Sequence, residues 1–131
     1  MDKFAILCVD DEEIILNSLE MQLSEHFGED YTYEFAENAQ DAFEVLEEFV
    51  EQDIGVVLIV SDWLMLGMKG DEFLIKATKK YPGLATIMLS GQVDEKALER
   101  AKKEAGLSRF IPKPWDKKDL IDAITSAVQD I

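Results

Sequence analysis

Val56-Val57-Leu58-Ile59-Val60-Ser61-Asp62 sets five aliphatic residues in a row, four of them β-branched, and then stops on a hydroxyl and a carboxylate. Side chains of a strand point alternately to its two faces, so an unbroken apolar run needs cover on both sides. Such strands belong to parallel sheets sandwiched between helices. An antiparallel strand with one wet face would alternate apolar with polar instead. The run therefore predicts a buried central strand, with Asp62 at its carboxyl end.

Four further short apolar runs lie outward of it, at Phe4–Val9, Tyr31–Ala36, Ala85–Leu89 and Arg109–Ile111. The stretches between them carry helical spacing instead. Ile15, Leu19, Gln22/Leu23 and Phe27 share a face in the first, and Ala42, Leu46, Phe49 and Val50 in the second. Phe73, Leu74, Ala77 and Tyr81 mark the third, Leu98, Ala101 and Ala105 the fourth, and Leu120/Ile121, Ile124 and Val128 the fifth. Asn38 and Asp94 suit helix N-caps, and Gly106 suits a helix stop. Five strands alternating with five helices, joined by right-handed crossovers, predict a doubly wound α/β three-layer sandwich. The expected strand order of its five-stranded parallel sheet is 2-1-3-4-5.

In such sheets chemistry collects at the carboxyl ends of the strands, near the point where strand order reverses. Here four of the five runs end on reactive groups: Asp10-Asp11, Ser61-Asp62, Ser90-Gly91 and Lys113-Pro114. With the first and third strands adjacent, Asp10, Asp11 and Asp62 crowd three negative charges together. Either a pKa rises or a cation binds. A hard ion that prefers oxygen, Mg²⁺ or Mn²⁺, meets that need and leaves room for a phosphate oxygen. Lys113 adds a positive charge and Ser90 a hydroxyl donor, while Gly91 allows close backbone approach. Phosphoryl transfer asks for little beyond such positioning and neutralisation.

Composition narrows the partners. Over 131 residues, 13 Lys and Arg face 28 Asp and Glu, for a net charge of −15. That surface repels nucleic-acid phosphates and anionic membranes. No apolar stretch approaches the roughly 18 residues of a membrane span. Charges at Asp2 and Lys3 do not suit a secretory leader, so the cytoplasm is the expected compartment. The lone cysteine, Cys8, lies inside the first apolar run and reads as a small core residue. His26, the one histidine, falls at a helix end and reads as a surface residue. The length suits a single domain over residues 1–131.

Four ordered segments carry a resemblance. Ile6-Leu7-Cys8-Val9-Asp10-Asp11, Ser61 through Gly70, Ile87-Met88-Leu89-Ser90-Gly91-Gln92 and Arg109 through Trp115 together resemble the receiver domains of two-component response regulators, which have a flavodoxin-like fold. The resemblance covers nearly the whole chain. It implies that Asp62 is the phosphoacceptor, supplied by a phosphohistidine on a sensor histidine kinase or phosphotransfer protein. It also implies metal ligation by Asp10, Asp11, Asp62 and the backbone carbonyl of Leu64. Ser90 and Lys113 would contact the phosphoryl group, the Lys113–Pro114 peptide would be cis, and Ser90 and Phe110 would switch together. The surface of the fourth helix, fifth strand and fifth helix would then engage an output domain, another protein or a second receiver in a phosphorylation-dependent homodimer. Such a chain is a self-phosphorylating and self-dephosphorylating switch, not a turnover enzyme.

Two departures stand out. Leu66 takes a place usually held by Pro, which would loosen the loop after Asp62, and Ser90 takes one often held by Thr, keeping the donor with less χ1 stiffness. Phe110 sits where the family usually has Tyr or Phe; with no hydroxyl it would report only by packing. Two rival functions exist on the same fold: an interaction module that no longer takes phosphate, and an aspartate-dependent phosphatase. The phosphatase would want a second acid two residues beyond the nucleophile, where this chain has Leu64.

Overall fold

The computed structural model describes residues 3–129. Five parallel strands form one sheet in the order β2-β1-β3-β4-β5, as expected. They are β1 (Phe4–Val9), β2 (Thr32–Ala36), β3 (Gly55–Ser61), β4 (Ala85–Ser90) and β5 (Arg109–Pro112). The helices between and after them are α1 (Glu13–Phe27), α2 (Ala39–Glu51), α3 (Gly70–Lys80), α4 (Glu95–Glu104) and α5 (Lys117–Gln129). Among the described residues no helix is long and apolar enough to cross a membrane.

The unbroken apolar runs are explained by two cores, one on each side of the sheet. Ala5, Leu7, Val9, Ile59 and Met88 face α2, α3 and α4, whereas Ile6, Cys8, Leu58, Val60, Ile87 and Leu89 face α1 and α5. Residues adjacent in sequence thus enter opposite cores, except Val57 and Leu58, which share one where β3 shifts register against β1, and neither face of β1, β3 or β4 reads as polar alternation.

Local signals end the helices where expected. The Asn38 side chain accepts the Asp41 amide at 2.8 Å, and Asp94 accepts that of Lys96 at 3.2 Å. Gly106 follows α4 at φ +61°, and the Leu107 amide closes back onto the Ala101 carbonyl at 3.2 Å. That left-handed turn is why a glycine stands there.

Three details differ from the sequence expectation. Val50, grouped with the buried face of α2, is 63% exposed, because Ala42, Leu46 and Phe49 already complete the stripe and the next residue turns away. In α1 the stripe centres on Leu16, Leu19 and Leu23, leaving Ile15 and Phe27 half-buried. Tyr81 caps α3 instead of belonging to it, and Tyr31 precedes β2. Each is a displacement of about one residue and leaves the topology untouched.

Candidate functional site

Register brings the acidic residues together. Val9 lies opposite both Ala36 and Ser61, so β1 ends between β2 and β3. The Asp62 amide then donates to the Val9 carbonyl at 2.9 Å, and the Asp10 amide to that of Ala36 at 3.1 Å. Oxygens of Asp10, Asp11 and Asp62 all lie within 4.8 Å of one another. Asp10 and Asp62 are buried, and Asp11 stands exposed at the rim.

Lys113 is the cation among them. Its amide donates to the Ser90 carbonyl at 2.9 Å, which ties the end of β5 to that of β4. Its Nζ lies 2.7 Å from Asp10 Oδ2 and 3.3 Å from Asp62 Oδ2. The Lys113–Pro114 peptide is cis. Asp62 Oδ1 accepts the Trp63 amide at 2.8 Å, so both oxygens of the carboxylate are engaged. A cavity of about 430 Å³ opens above Asp62, walled by Glu12, Leu64, Ser90, Gly91, Gln92 and Lys113.

Burial lifts the Asp10 carboxyl above its ordinary value of 3.8. The Lys113 and Glu12 amide hydrogen bonds oppose the shift, and the Asp62 charge adds to it. For Lys113, burial works to lower the pKa, but the hydrogen bond to Asp10 and the charges of Asp10 and Asp62 outweigh it, so the ammonium is held above 10.5. The Cys8 thiol is pushed far up, first by burial and then by Asp10, consistent with an inert core residue.

The Asp10 shift has a checkable sign. A carboxyl raised in the folded chain contributes stability that is fully present below its unfolded pKa and lost as pH rises through the folded one. Lys113 stays charged throughout that window. The stability difference between Asp10→Asn and wild type, measured by urea unfolding in EDTA, should therefore move in favour of the variant from about pH 4 to about pH 7. A difference that stays constant or moves the other way contradicts the burial of an ionised Asp10.

Ser90 is buried, and its hydroxyl donates to the Gln92 carbonyl at 2.7 Å instead of reaching Asp62. A Cβ at Gly91 would meet nothing within 4 Å, so no protein group crowds that glycine, which lines the cavity above Asp62. Met88 pairs with Phe110 and Ser90 with Pro112. Period-two alternation along the strands thus sends Ser90 and Phe110 toward the same face, and Phe110 packs half-buried on the α2–α4 side. Leu64 is 44% exposed and Leu66 87% exposed. His26 is exposed in the last turn of α1.

The chain from residue 6 to residue 125 matches the family model described as response regulator receiver domain. The chain belongs to that family. Among similar receiver domains is the signal receiver domain of an HD domain-containing protein from Pseudomonas fluorescens Pf-5. Its structure superposes with a TM-score of 0.86 at 31% identity, covering 98% of this chain and 96% of that one. Chemotaxis protein CheY of Halobacterium salinarum is 30% identical over 123 residues, 94% of this chain and 95% of that protein. Hydrogenase transcriptional regulatory protein HoxA of Cupriavidus necator is 32% identical over 124 residues, 95% of this chain but 24% of that protein. The receiver domain described here thus spans about a quarter of the length of that regulator.

Three groups at this receiver site escaped the sequence. Glu12 donates its amide to Asp10 Oδ1 at 2.9 Å. Gly70 packs its backbone directly on that of Asp62 and Trp63, where a Cβ would clash with the Asp62 carbonyl oxygen. Asp71 is buried and accepts the Trp63 indole N–H at 3.0 Å. An acid in the first turn of a helix is ordinary by itself, and only the fold shows what it holds.

Proposed function

We propose that this receiver domain accepts a phosphoryl group on Asp62 from the phosphohistidine of a sensor histidine kinase or phosphotransfer protein. The observation that carries this reading is the carboxylate of Asp62 between the Trp63 amide and the Lys113 ammonium, facing an open cavity beside Ser90. In the transfer, an Asp62 oxygen attacks phosphorus, the P–N bond to imidazole breaks, and the released imidazole takes a proton from solvent. The product is an acyl phosphate, to be hydrolysed later by water, so the chain acts as a switch and not as a turnover enzyme.

The donor set suits a small hard dication: three carboxylates whose oxygens lie within 4.8 Å, two of them buried. Asp10, Asp11, Asp62 and the Leu64 carbonyl would hold Mg²⁺ or Mn²⁺, which when bound neutralises charge on the phosphoryl oxygens. Lys113 neutralises the other side, and it must share itself less with Asp10 once a phosphoryl oxygen is present. The Ser90 hydroxyl exchanges its bond to the Gln92 carbonyl for one to the phosphoryl group. The added charge of about −1.5 to −2 biases a two-state equilibrium. Phe110, on the same face as Ser90, follows that movement by packing and alters the surface of α4, β5 and α5. An output domain, another protein or a second receiver would read that surface, in the cytoplasm.

The test is incubation with acetyl phosphate, with and without Mg²⁺, followed by intact mass. One phosphoryl adduct that disappears in EDTA is expected. Absence of any adduct with Mg²⁺ present would favour an interaction module of the same fold.

A further inference from the structure

Asp71 makes contacts that its position does not require. A buried carboxylate is costly unless its oxygens are paired. Asp71 pairs each of them with a different element: Oδ1 takes the Trp63 indole N–H at 3.0 Å, and Oδ2 takes Arg100 of α4 at 3.3 Å. Trp63 is itself held at several points. Its amide donates to Asp62 Oδ1 at 2.8 Å, its carbonyl accepts the Gly70 amide at 2.8 Å, and Lys69 Nζ lies 4.9 Å from its ring centroid. The indole is buried, so it has no free rotation to absorb a displacement of its own backbone.

We propose that Asp71 is a positioning residue that ties the Asp62 carboxylate to helix α4 through the Trp63 side chain and Arg100. The proposal rests on the receiver reading for what reaches Asp62, but the linkage is present without any phosphoryl group. The order of contacts is continuous: Asp62 oxygen, Trp63 amide, Trp63 indole, Asp71, Arg100. Arg100 is an exposed arm, its side chain 55% accessible, with a second contact to Glu104 Oε2 at 3.6 Å on its own helix. Only the Arg100 side of this pair is exposed; the Asp71 side chain is 7% accessible. Arg100 therefore ties α4 to the site and also satisfies a buried carboxylate. Coupling of this kind is reciprocal at equilibrium, so whatever shifts α4 changes the stability of phosphorylated Asp62 by the same free energy with which phosphorylation shifts α4.

The experiment uses the full chain and removes each end of the linkage gently. Arg100→Met keeps the side-chain stem and drops the donors; Trp63→Phe keeps ring packing and drops the indole N–H. Arg100→Met should shift the Trp63 indole resonance and the Asp62 carboxyl ¹³C resonance before any phosphorylation. It should also lower the initial rate of labelling by acetyl phosphate and Mg²⁺ by about fivefold, because the Asp62 carboxylate is less well positioned. Arg100→Lys should restore part of that rate. In the Trp63→Phe background, Arg100→Met should have no further effect, because the path is already cut. A purely structural Arg100 would give effects that add. Additive effects, or an Asp62 carboxyl resonance indifferent to Arg100→Met, overturn the proposal. If the wild-type chain takes no phosphoryl group at all, the phosphoacceptor reading fails, and the two resonances alone decide the linkage.

Discussion

Replacing Lys113 with Ala should lower the rate of phosphoryl incorporation from acetyl phosphate by about a hundredfold while leaving Mg²⁺ affinity undiminished or increased. The two effects separate because Lys113 has two roles at one place. Toward a phosphoryl group it supplies a fixed positive charge, and loss of one such positioned donor costs about 10²–10³ in rate. Toward a metal it is a competitor, its Nζ lying 2.7 Å from Asp10 and 3.3 Å from Asp62. Without Mg²⁺ the variant leaves two buried carboxylates without their cation. Breaking a buried pair in this way costs roughly 3 kcal/mol of stability. At a hundred times Kd, Mg²⁺ should stabilise the variant by about 2.7 kcal/mol, bringing it close to the metal-free wild type. Labelling rates by intact mass, calorimetric Mg²⁺ titration and urea unfolding with and without the metal check all three. Weaker Mg²⁺ binding with an unchanged labelling rate would reverse the assignment of Lys113.

The second large effect concerns Gly70 and needs no titratable group. The amino end of α3 is pressed against the exit of β3, with the Gly70 amide donating to the Trp63 carbonyl at 2.8 Å. A Cβ there would collide with the Asp62 carbonyl oxygen and come within 2.8 Å of Trp63 Cα and 2.9 Å of the Asp62 carbonyl carbon. All three are backbone atoms, so no side chain can turn aside. Gly70→Ala must move either α3 or the phosphoacceptor strand end, at a cost of about 3 kcal/mol. Labelling of Asp62 should fall with it. Gly91→Ala is the control: no positive φ is required there and nothing lies within 4 Å of the added carbon. Its stability should stay within about 0.5 kcal/mol of wild type. Equal urea midpoints for Gly70→Ala and wild type would mean that α3 is not packed on the site as described.

The fold was legible because its strands are buried on both faces. Val56 through Val60 could not belong to a half-wet sheet, and β3 does feed both cores, Val56 and Ile59 one, Val57, Leu58 and Val60 the other, with a register shift against β1 at Val57. Chemistry at the strand ends was legible for a related reason. Asp10, Asp62, Ser90 and Lys113 each interrupt an apolar run, and parallel topology leaves such residues only one end of the sheet to share. What the sequence withheld was partnership. Nothing in the spacing shows that Lys113 divides itself between Asp10 and Asp62, or that Ser90 donates to the Gln92 carbonyl. Asp71 was missed because its role depends on the rotamer of Trp63 and the placement of α4, both set by tertiary packing. Val50 was misassigned because helical period alone does not say where a buried stripe stops. Leu66, the departure that suggested a loosened loop, is a surface residue at 87% exposure; it lines a separate hollow with Asn38, Phe43 and Glu47 beside α2 and not the cavity above Asp62.

Everything proposed for function turns on which carboxylate carries the phosphoryl group. An aspartyl phosphate is an acyl phosphate, and borohydride reduces it to homoserine, marking the residue permanently. After incubation with acetyl phosphate and Mg²⁺, reduction and peptide sequencing should place homoserine at position 62 and leave Asp10 and Asp11 intact, with no homoserine in Asp62→Asn. Homoserine at position 10 or 11 in the wild-type chain, or none anywhere despite a phosphoryl adduct in the intact mass, would contradict the assignment of Asp62.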